Sequence, residues 1–242
     1  MLEINKSESA LSVDGQGQLE TELSNLGFLD AQTLAGQPRL LDSISQITFQ
    51  PGEVIYHGGE ESRLLFIVRQ GRLKLITHLP NGRSRIVRLH KRGSLIGLDG
   101  LMGEGHEHTA IAINNVAAYK VPHHFFHQWK KDEPQLYNRL LEHWHEYLNY
   151  ADTWITEFST GNVEGRVARL LRFLAEFESE TGPYVVELLT TDEMADILGV
   201  TAESVSRVIA ALKRESVLDP IENNSESLFT CDLVALEQLA QK

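Results

Sequence analysis

The stretch that constrains this chain most runs from Thr190 to Val208. Thr190 is placed to cap a helix, and Glu193, three residues on, completes a capping box. Met194, Ala195, Ile197 and Leu198 give that helix an apolar side. Gly199 ends it, because glycine tolerates the left-handed conformation that a sharp stop needs. Thr201 caps a second helix whose buried face would be Val205, Val208, Ile209 and Leu212. The spacing therefore predicts two short helices joined by a tight turn, with small Ala195 letting them approach closely. Glu203, Ser206 and Arg207 remain on the outer face of the second helix. A short outward-facing helix with a carboxylate and a guanidinium near its start is what reading base edges in a DNA major groove requires. The candidate DNA contacts are Thr190 and Thr191 at the first helix start, with Thr201, Ala202, Glu203, Ser206 and Arg207 at the second. The plainer alternative is a helical hairpin inside an ordinary core.

Charge argues the other way. The net charge of −12 counts against a non-specific nucleic-acid binder. From Thr190 to Glu215 there are three basic residues, Arg207, Lys213 and Arg214, against five acidic ones. A site-specific reader needs only its docking face to be positive, and the second helix meets that requirement modestly.

At 242 residues the chain suggests two domains of ordinary size. No apolar run approaches membrane-spanning length, and the start, from Met1 to Lys6, does not read as a signal peptide. A cytoplasmic location without membrane contact is the expectation. Cys231 is the only cysteine, which excludes an intramolecular disulfide and a four-cysteine iron–sulfur cluster within one chain.

Along the chain, residues 1–18 read as a polar, loose tail. From about 43 to 121, short β-prone runs alternate with turn punctuation such as Pro51-Gly52, Gly58-Gly59, Gln70-Gly71, Pro80-Asn81-Gly82 and Asn114-Asn115. That spacing predicts an antiparallel barrel or sandwich. Leu73/Leu75 and Val87/Leu89 alternate with polar neighbours, as half-buried strands should. After Pro122 the pattern turns helical. Tyr137, Leu141, Trp144, Leu148, Ala151, Ile155 and Phe158 fall on one seam of a long helix, and Leu140, Tyr147 and Trp154 on a second. Two stripes on one helix predict packing on its own domain and on a second copy. Gly161-Asn162 ends the helix, and Asn162 caps the next. A terminal hairpin around Asn223-Asn224-Ser225 returns through Leu228-Phe229, before a last helix from Asp232. The domains are thus read as 19–131 for the β-barrel and its flanking helices, 132–161 for the dimerisation helix and hinge, and 162–242 for the helix-turn-helix domain.

That order resembles the Crp/Fnr superfamily of bacterial transcription regulators. Phe49-Gln50-Pro51-Gly52-Glu53 and Gly58-Gly59-Glu60 are similar to the family's first barrel turns. Phe66-Ile67, Gly71, Gly82-Arg83, Gly93 and Gly97 follow in the family's order, and Val121-Pro122 leads into the helical part. Asn162-Val163-Glu164-Gly165-Arg166-Val167-Ala168 resembles the start of the first DNA-domain helix. The resemblance implies an α+β chain: an N-terminal antiparallel, jelly-roll-like β-barrel, a long dimerisation helix and a C-terminal winged helix-turn-helix domain. It places an effector pocket at Gly97, Leu98, Asp99, His108 and Thr109 in the barrel cassette, with Ala151 and Asp152 on the long helix. Cyclic-AMP-binding members carry a ribose glutamate where Leu98 stands, and an Arg-Ser pair where His108-Thr109 stand. A neutral histidine cannot replace the permanent charge and bidentate fork of arginine. Cyclic-nucleotide binding is therefore not expected. The N-terminal cysteine group of the oxygen-sensing branch is absent as well.

The chain holds ten histidines. An axial histidine is the usual protein ligand of haem, which makes His106 and His108 in the cassette the candidates for a haem-based gas sensor. The plainer reading is loop and surface histidines that bind nothing, with His123-His124 solvated at a helix start. No Cys/His spacing suggests structural zinc. There is no Gly-rich phosphate loop, nucleophile elbow or His-Glu-x-x-His, so no enzyme is expected. The resulting expectation is a homodimeric regulator whose partners are double-stranded DNA, as an inverted repeat of TTGA-like half-sites, and RNA polymerase. The competing class is a ligand-binding sensor or adaptor of the same fold that does not bind DNA.

Overall fold

The computed structural model describes residues 16–27, 34, 36–103, 105–126, 134–178, 184–221 and 227–241. The chain divides into two compact units, Met1–Thr77 with Arg88–Leu148, and His78–Val87 with Asn149–Lys242.

Among the described residues the helices α1 (Gln16–Asn25) and α2 (Pro38–Ser43) precede eight strands of the N-terminal half. Helix α1 starts inside the stretch read as a tail, because Leu19 and Leu23 are apolar four apart and both are buried. Pro38 opens α2, where its missing N–H costs nothing. The strands are β1 (Ser45–Phe49), β2 (Val54–Tyr56), β3 (Leu64–Gln70), β4 (Leu73–His78), β5 (Ser84–His90), β6 (Leu95–Ile96), β7 (Thr109–Ala112) and β8 (Val116–Pro122). They form two four-stranded sheets, in the orders β1-β8-β3-β6 and β2-β7-β4-β5, rather than one closed ring. Strands β3 and β8 pair antiparallel, from Leu64↔Pro122 through Val68↔Ala118. Tyr56 of one sheet stacks on Phe66 of the other, with ring centroids 6.2 Å apart. The outer face of the β3/β8 sheet is covered by Leu19, Leu23, Leu40 and Leu41, which join Leu65, Ile67 and Tyr119 in one apolar cluster. Glu22 fixes α1 to that sheet, accepting from Arg69 Nε at 2.7 Å and from the Tyr119 hydroxyl at 2.5 Å.

Leu73 and Leu75 alternate with half-buried Lys74 as expected. Strand β5 departs from the Val87/Leu89 pattern. Ile86, Leu89 and His90 are buried while Val87 and Arg88 are half-buried, because the end of this strand is covered on both faces.

Helix α3 (Pro134–Phe158) is the long helix. Beyond it lie α4 (Val163–Glu178), β9 (Val185–Glu187), α5 (Thr191–Leu198), α6 (Ala202–Arg214), β10 (Leu218–Pro220), β11 (Leu228–Cys231) and α7 (Leu233–Ala240). Asn162 Oδ1 accepts from the Gly165 amide at 2.8 Å and so caps α4. Arg166 Nε donates to Phe158 O at 2.7 Å. Arg169 donates to the carbonyls of Glu157, Thr160 and Ala240, binding the end of α3 to α4 and α7. Strands β10, β11 and β9 form an antiparallel sheet. The return strand and the helix capped by Asp232 stand where the sequence puts them. The turn at Asn223-Asn224-Ser225 lies outside the described residues, and β9 has no counterpart in the sequence pattern. Among the described residues no helix is long and apolar enough to cross a membrane.

Candidate nucleic-acid interface and effector cavity

The helix-turn-helix is built from caps. Thr190 Oγ1 accepts from the Glu193 amide at 3.2 Å, and Glu193 Oε2 accepts from the Thr190 amide at 3.0 Å, so both halves of the capping box form. Gly199 closes α5 at φ 64°, its amide donating to Ala195 O at 2.7 Å. Thr201 Oγ1 then accepts from the Ser204 amide at 3.3 Å and starts α6. Met194, Ala195, Ile197 and Leu198 are buried, facing Val205, Ile209 and Leu212 of the unit's core; Val208 is half-buried. Glu203, Ser206 and Arg207 are exposed, as are Thr190 and Thr201, while Thr191 and Ala202 are half-buried. Among the described residues Arg207 makes no hydrogen bond or ion pair, so its guanidinium is free to fork onto an acceptor pair. Lys213 and Arg214 occupy the last turn, favourable toward the helix dipole. Lys213 Nζ also lies 4.2 Å from the centroid of the Phe229 ring on β11, tying α6 to the β10–β11 hairpin.

A second feature sits within the first unit. A cavity of about 340 Å³ is lined by the cassette, by β5 and by α3. Of the residues expected there, Gly97, Leu98, Asp99 and His108 do line it. Thr109 does not. It is buried, and its hydroxyl accepts from the Gly58 amide at 2.9 Å, pinning β7 to the β2 turn. Ala151 and Asp152 are not among the lining residues either; α3 contributes Trp144, Tyr147 and Leu148 instead. The sequence reading also missed Tyr56, Arg88 and His90.

The cassette turn is a 3-10 helix, Leu98–Met102, that starts from Gly97 at φ 88°. A Cβ on Gly97 would sit 2.8 Å from Leu64 O, so glycine is needed for the approach as well as for the conformation. Asp99 organises the loop. Its Oδ1 accepts from the Gly100 amide at 3.0 Å and contacts His106 Nδ1 at 3.0 Å, and its Oδ2 accepts from the Glu107 amide at 2.9 Å. Burial alone would raise its pKa, but the His106 hydrogen bond and the backbone donors outweigh it and hold the carboxyl below its ordinary value. His106 is buried and stacks on Tyr56 with ring centroids 3.6 Å apart. His123, expected at the surface, is buried at the end of β8; its ring lies where a Cβ on Gly100 would be, 2.6 Å away. Among the described residues no group of three or more His, Cys, Asp or Glu could hold a metal ion.

The seam of α3 divides. Leu141, Leu148 and Ile155, seven apart, are 51%, 56% and 64% exposed. Tyr137 and Ala151 are half-buried, and Trp144 packs toward the apolar cluster of its own unit. Phe158, expected at a dimer interface, is instead fully buried within its own chain. There its ring meets those of Trp154 and Phe173 edge-on at 4.9 and 5.5 Å.

Comparison with known proteins gives consistent relations. The sequence model of the Cyclic nucleotide-binding domain matches residues 46–132, and that of the Crp-like helix-turn-helix domain matches residues 165–239. The Fumarate and nitrate reduction regulatory protein of Vibrio cholerae is 26% identical over 186 residues, 74% of each chain. The Transcriptional regulator LdrP of Thermus thermophilus is 28% identical over 196 residues, covering 79% of this chain and 95% of that one. Among solved structures, a CRP-family transcriptional regulator from Thermus thermophilus superposes with a TM-score of 0.68. It is 26% identical and covers 81% of this chain and 96% of its own. FixK2 from Bradyrhizobium japonicum, at 21% identity, shares the fold with a TM-score of 0.72 over 81% of this chain and 96% of its own.

Proposed function

Since this chain belongs to the Crp/Fnr superfamily of transcription regulators, we propose that it acts as a homodimer that reads an inverted repeat in double-stranded DNA. The observation that carries the reading is the exposed row Glu203, Ser206 and Arg207, standing on a capped helix whose opposite face is buried. Arg207 forks onto guanine N7 and O6, and Glu203 accepts from cytosine N4. Thr190, Thr191, Thr201 and Ala202 lie at the two helix starts, where backbone amides and hydroxyls meet phosphates. The Glu203-x-x-Ser206-Arg207 spacing resembles the oxygen-sensing branch and supports TTGA-like half-sites.

Two copies pair through the exposed α3 residues, and their α6 helices enter successive major grooves. The cavity beside α3 receives the signal, and RNA polymerase is the partner in activation. Leu98 and His108 supply neither a ribose acceptor nor a phosphate fork, so cyclic AMP is not the signal.

The test is selection from random DNA with the wild-type protein and with Arg207→Ala. An inverted repeat that changes at one position in the variant supports the reading. No repeat, or one unaffected by the substitution, overturns it and favours the adaptor without DNA binding.

A further inference from the structure

The tip of the β4–β5 hairpin, His78–Val87, belongs to the same compact unit as Asn149–Lys242, while the remainder of both strands, Leu73–Thr77 and Arg88–His90, lies in the other. Two hydrogen bonds hold the tip within its unit. The indole Nε1 of Trp154, near the end of α3, donates to Ile86 O at 3.1 Å. Arg85 Nη2 donates to Ile197 O, in the last turn of α5, at 3.2 Å. The first bond ties the hairpin to the long helix. The second reaches the helix-turn-helix itself.

Arg85 answers a need of α5. The last carbonyls of a helix have no partner within it, and a cation beside them is favourable toward the helix dipole. Helix α5 has no basic residue in its last turn, whereas α6 has Lys213 and Arg214. Ala195 O accepts from the amides of Gly199 and Val200 at 2.7 and 3.2 Å, so the turn closes that carbonyl by itself. Ile197 O is closed from the hairpin. Among the described residues the half-buried Arg85 makes no ion pair with a carboxylate. The charges felt beside it are like ones: burial first, then Arg85 and Arg169, hold Arg166 below its ordinary value. The carbonyl end of α5 is therefore what compensates the Arg85 guanidinium. Gly199 leaves the room for it. A Cβ there would collide with the guanidinium, 2.8 Å from Arg85 Cζ, so glycine serves the seating of Arg85 as well as the left-handed turn.

We infer that Arg85 is a positioning residue for DNA recognition: from the hairpin it caps α5 and fixes the turn from which α6 starts, without touching DNA itself. Its guanidinium sits at the opposite end of α5 from Thr190 and Thr191. Thr201, four residues beyond Ile197, caps α6, and Glu203 and Arg207 stand in the first two turns of that helix. With Arg85 seated, the row Glu203, Ser206 and Arg207 stays exposed, so the tie holds the reader rather than masking it. A reader attached only through α4 can swing about the end of α3. A second tie at its turn restricts that swing. In a pair of subunits, each restricted in this way, the separation of the two α6 helices is narrowed, and with it the half-site spacing that the pair accepts. This inference rests on reading the chain as a dimer on an inverted repeat.

The first comparison needs no DNA. Hydrogen exchange in the full chain is followed in the hairpin, residues 79–87, and in the turn, residues 197–201. Arg85→Gln should speed exchange in both segments, and Arg85→Lys, which keeps a cation, should lie closer to the wild type. The second comparison sets the selected inverted repeat beside a copy lengthened by one base pair. The wild type should favour the selected spacing, and Arg85→Gln should shrink that preference by about fivefold. Arg83→Gln removes the same charge from an exposed position of the same hairpin. It should leave the preference unchanged, even where it weakens both sites alike. Gly199→Ala drives the guanidinium out and keeps its charge, and it should repeat the loss of preference if Arg85→Gln fails to fold. The inference is overturned if exchange in both segments of Arg85→Gln matches the wild type, if a folded Arg85→Gln keeps the spacing preference, or if Arg83→Gln lowers that preference equally. Failure of the DNA reading itself looks different: no repeat is selected while exchange still answers to Arg85. That result overturns the positioning role and leaves only the helix cap.

Discussion

Arg207 and Arg88 make no ion pair among the described residues, but Arg88 lies in the field of Asp99 and Glu107 while Arg207 faces water. Arg207 is exposed on a convex helix, where water satisfies it until DNA replaces the water. Its replacement by alanine should cost about 1–3 kcal/mol of DNA affinity, concentrated at one G·C pair. Competition with sites altered one base pair at a time measures this, and an equal loss on every sequence would reveal a phosphate contact instead. His90 gives a second prediction at this scale. Burial and then the charge of Arg88 pull its pKa from 6.5 to about 3. Below pH 6.5 the unfolded chain takes up a proton that the folded chain refuses, so stability falls as pH falls from about 6.5 toward 3. The slope contributed by one such group is at most about 1.4 kcal/mol per pH unit. Asp99 acts lower: its depressed pKa contributes stability above its ordinary 3.8 and loses it below. Half-buried His108 shifts in the same direction as His90. Urea midpoints at pH 7, 6 and 5 should therefore decline in the wild type and decline less in His90→Gln. Equal slopes would show that His90 accepts its proton in place. Neither Arg88 nor His90 stood out in the sequence, because each is one residue of a β-strand. Only the packing of α3 over that strand brings them to the cassette.

At the scale of elements, the parts that could be read were those set by neighbours in sequence, and α3 shows where that stops. Its exposed Leu141, Leu148 and Ile155 repeat every seven residues, the period of a helix-pairing seam. Ile155→Glu, which lies clear of the cavity, should leave the folded chain monomeric in sedimentation, because pairing would bury an uncompensated charge. A variant that remains dimeric would place the interface elsewhere. Arg169 gives the element-level prediction for stability. Its guanidinium donates to three carbonyls near the end of α3 and at α7. Charged hydrogen bonds contribute about 1.5–3 kcal/mol, so Arg169→Met should lower the urea midpoint of the second unit by a clear margin. An unchanged midpoint would mean that water replaces the guanidinium without loss. Helix ends at Thr190, Thr201, Asn162 and Asp232 were legible because caps are local chemistry over three residues. Strand β9 was not, since three residues carry no period and its register is set by β11. Phe158 followed the seam by spacing, yet α4 folds back after it and sets Phe173 against the Trp154–Phe158 pair, a contact that no helical period records.

For the whole molecule, the question is how a chain of net charge −12 holds DNA. Only the docking face must be positive, and on α6 that face has Arg207, Lys213 and Arg214 with Glu203 against them. Lys213 is partly committed to the Phe229 ring. Each subunit can then neutralise about two phosphates through this helix, and a dimer about four. Counterion release gives a slope of log affinity on log salt near −0.9 per phosphate, or about −4 for the dimer. The rest of the surface repels the duplex, so non-specific binding should be weak and the selected repeat should retain its advantage as salt rises. Dimer geometry adds a second requirement. Half-site centres must lie about 34–36 Å apart, or a multiple of it, for both α6 helices to face their grooves. Titration of the selected repeat from low to moderate salt, beside a copy lengthened by half a helical turn, tests both statements. The shallow slope should hold for the selected site, and the lengthened copy should bind no better than random DNA. A slope approaching about −10, the value given for lac repressor, would show that basic surface beyond α6 carries the contact. Equal binding to the lengthened copy would show that the two readers act independently, against a dimer fixed by α3.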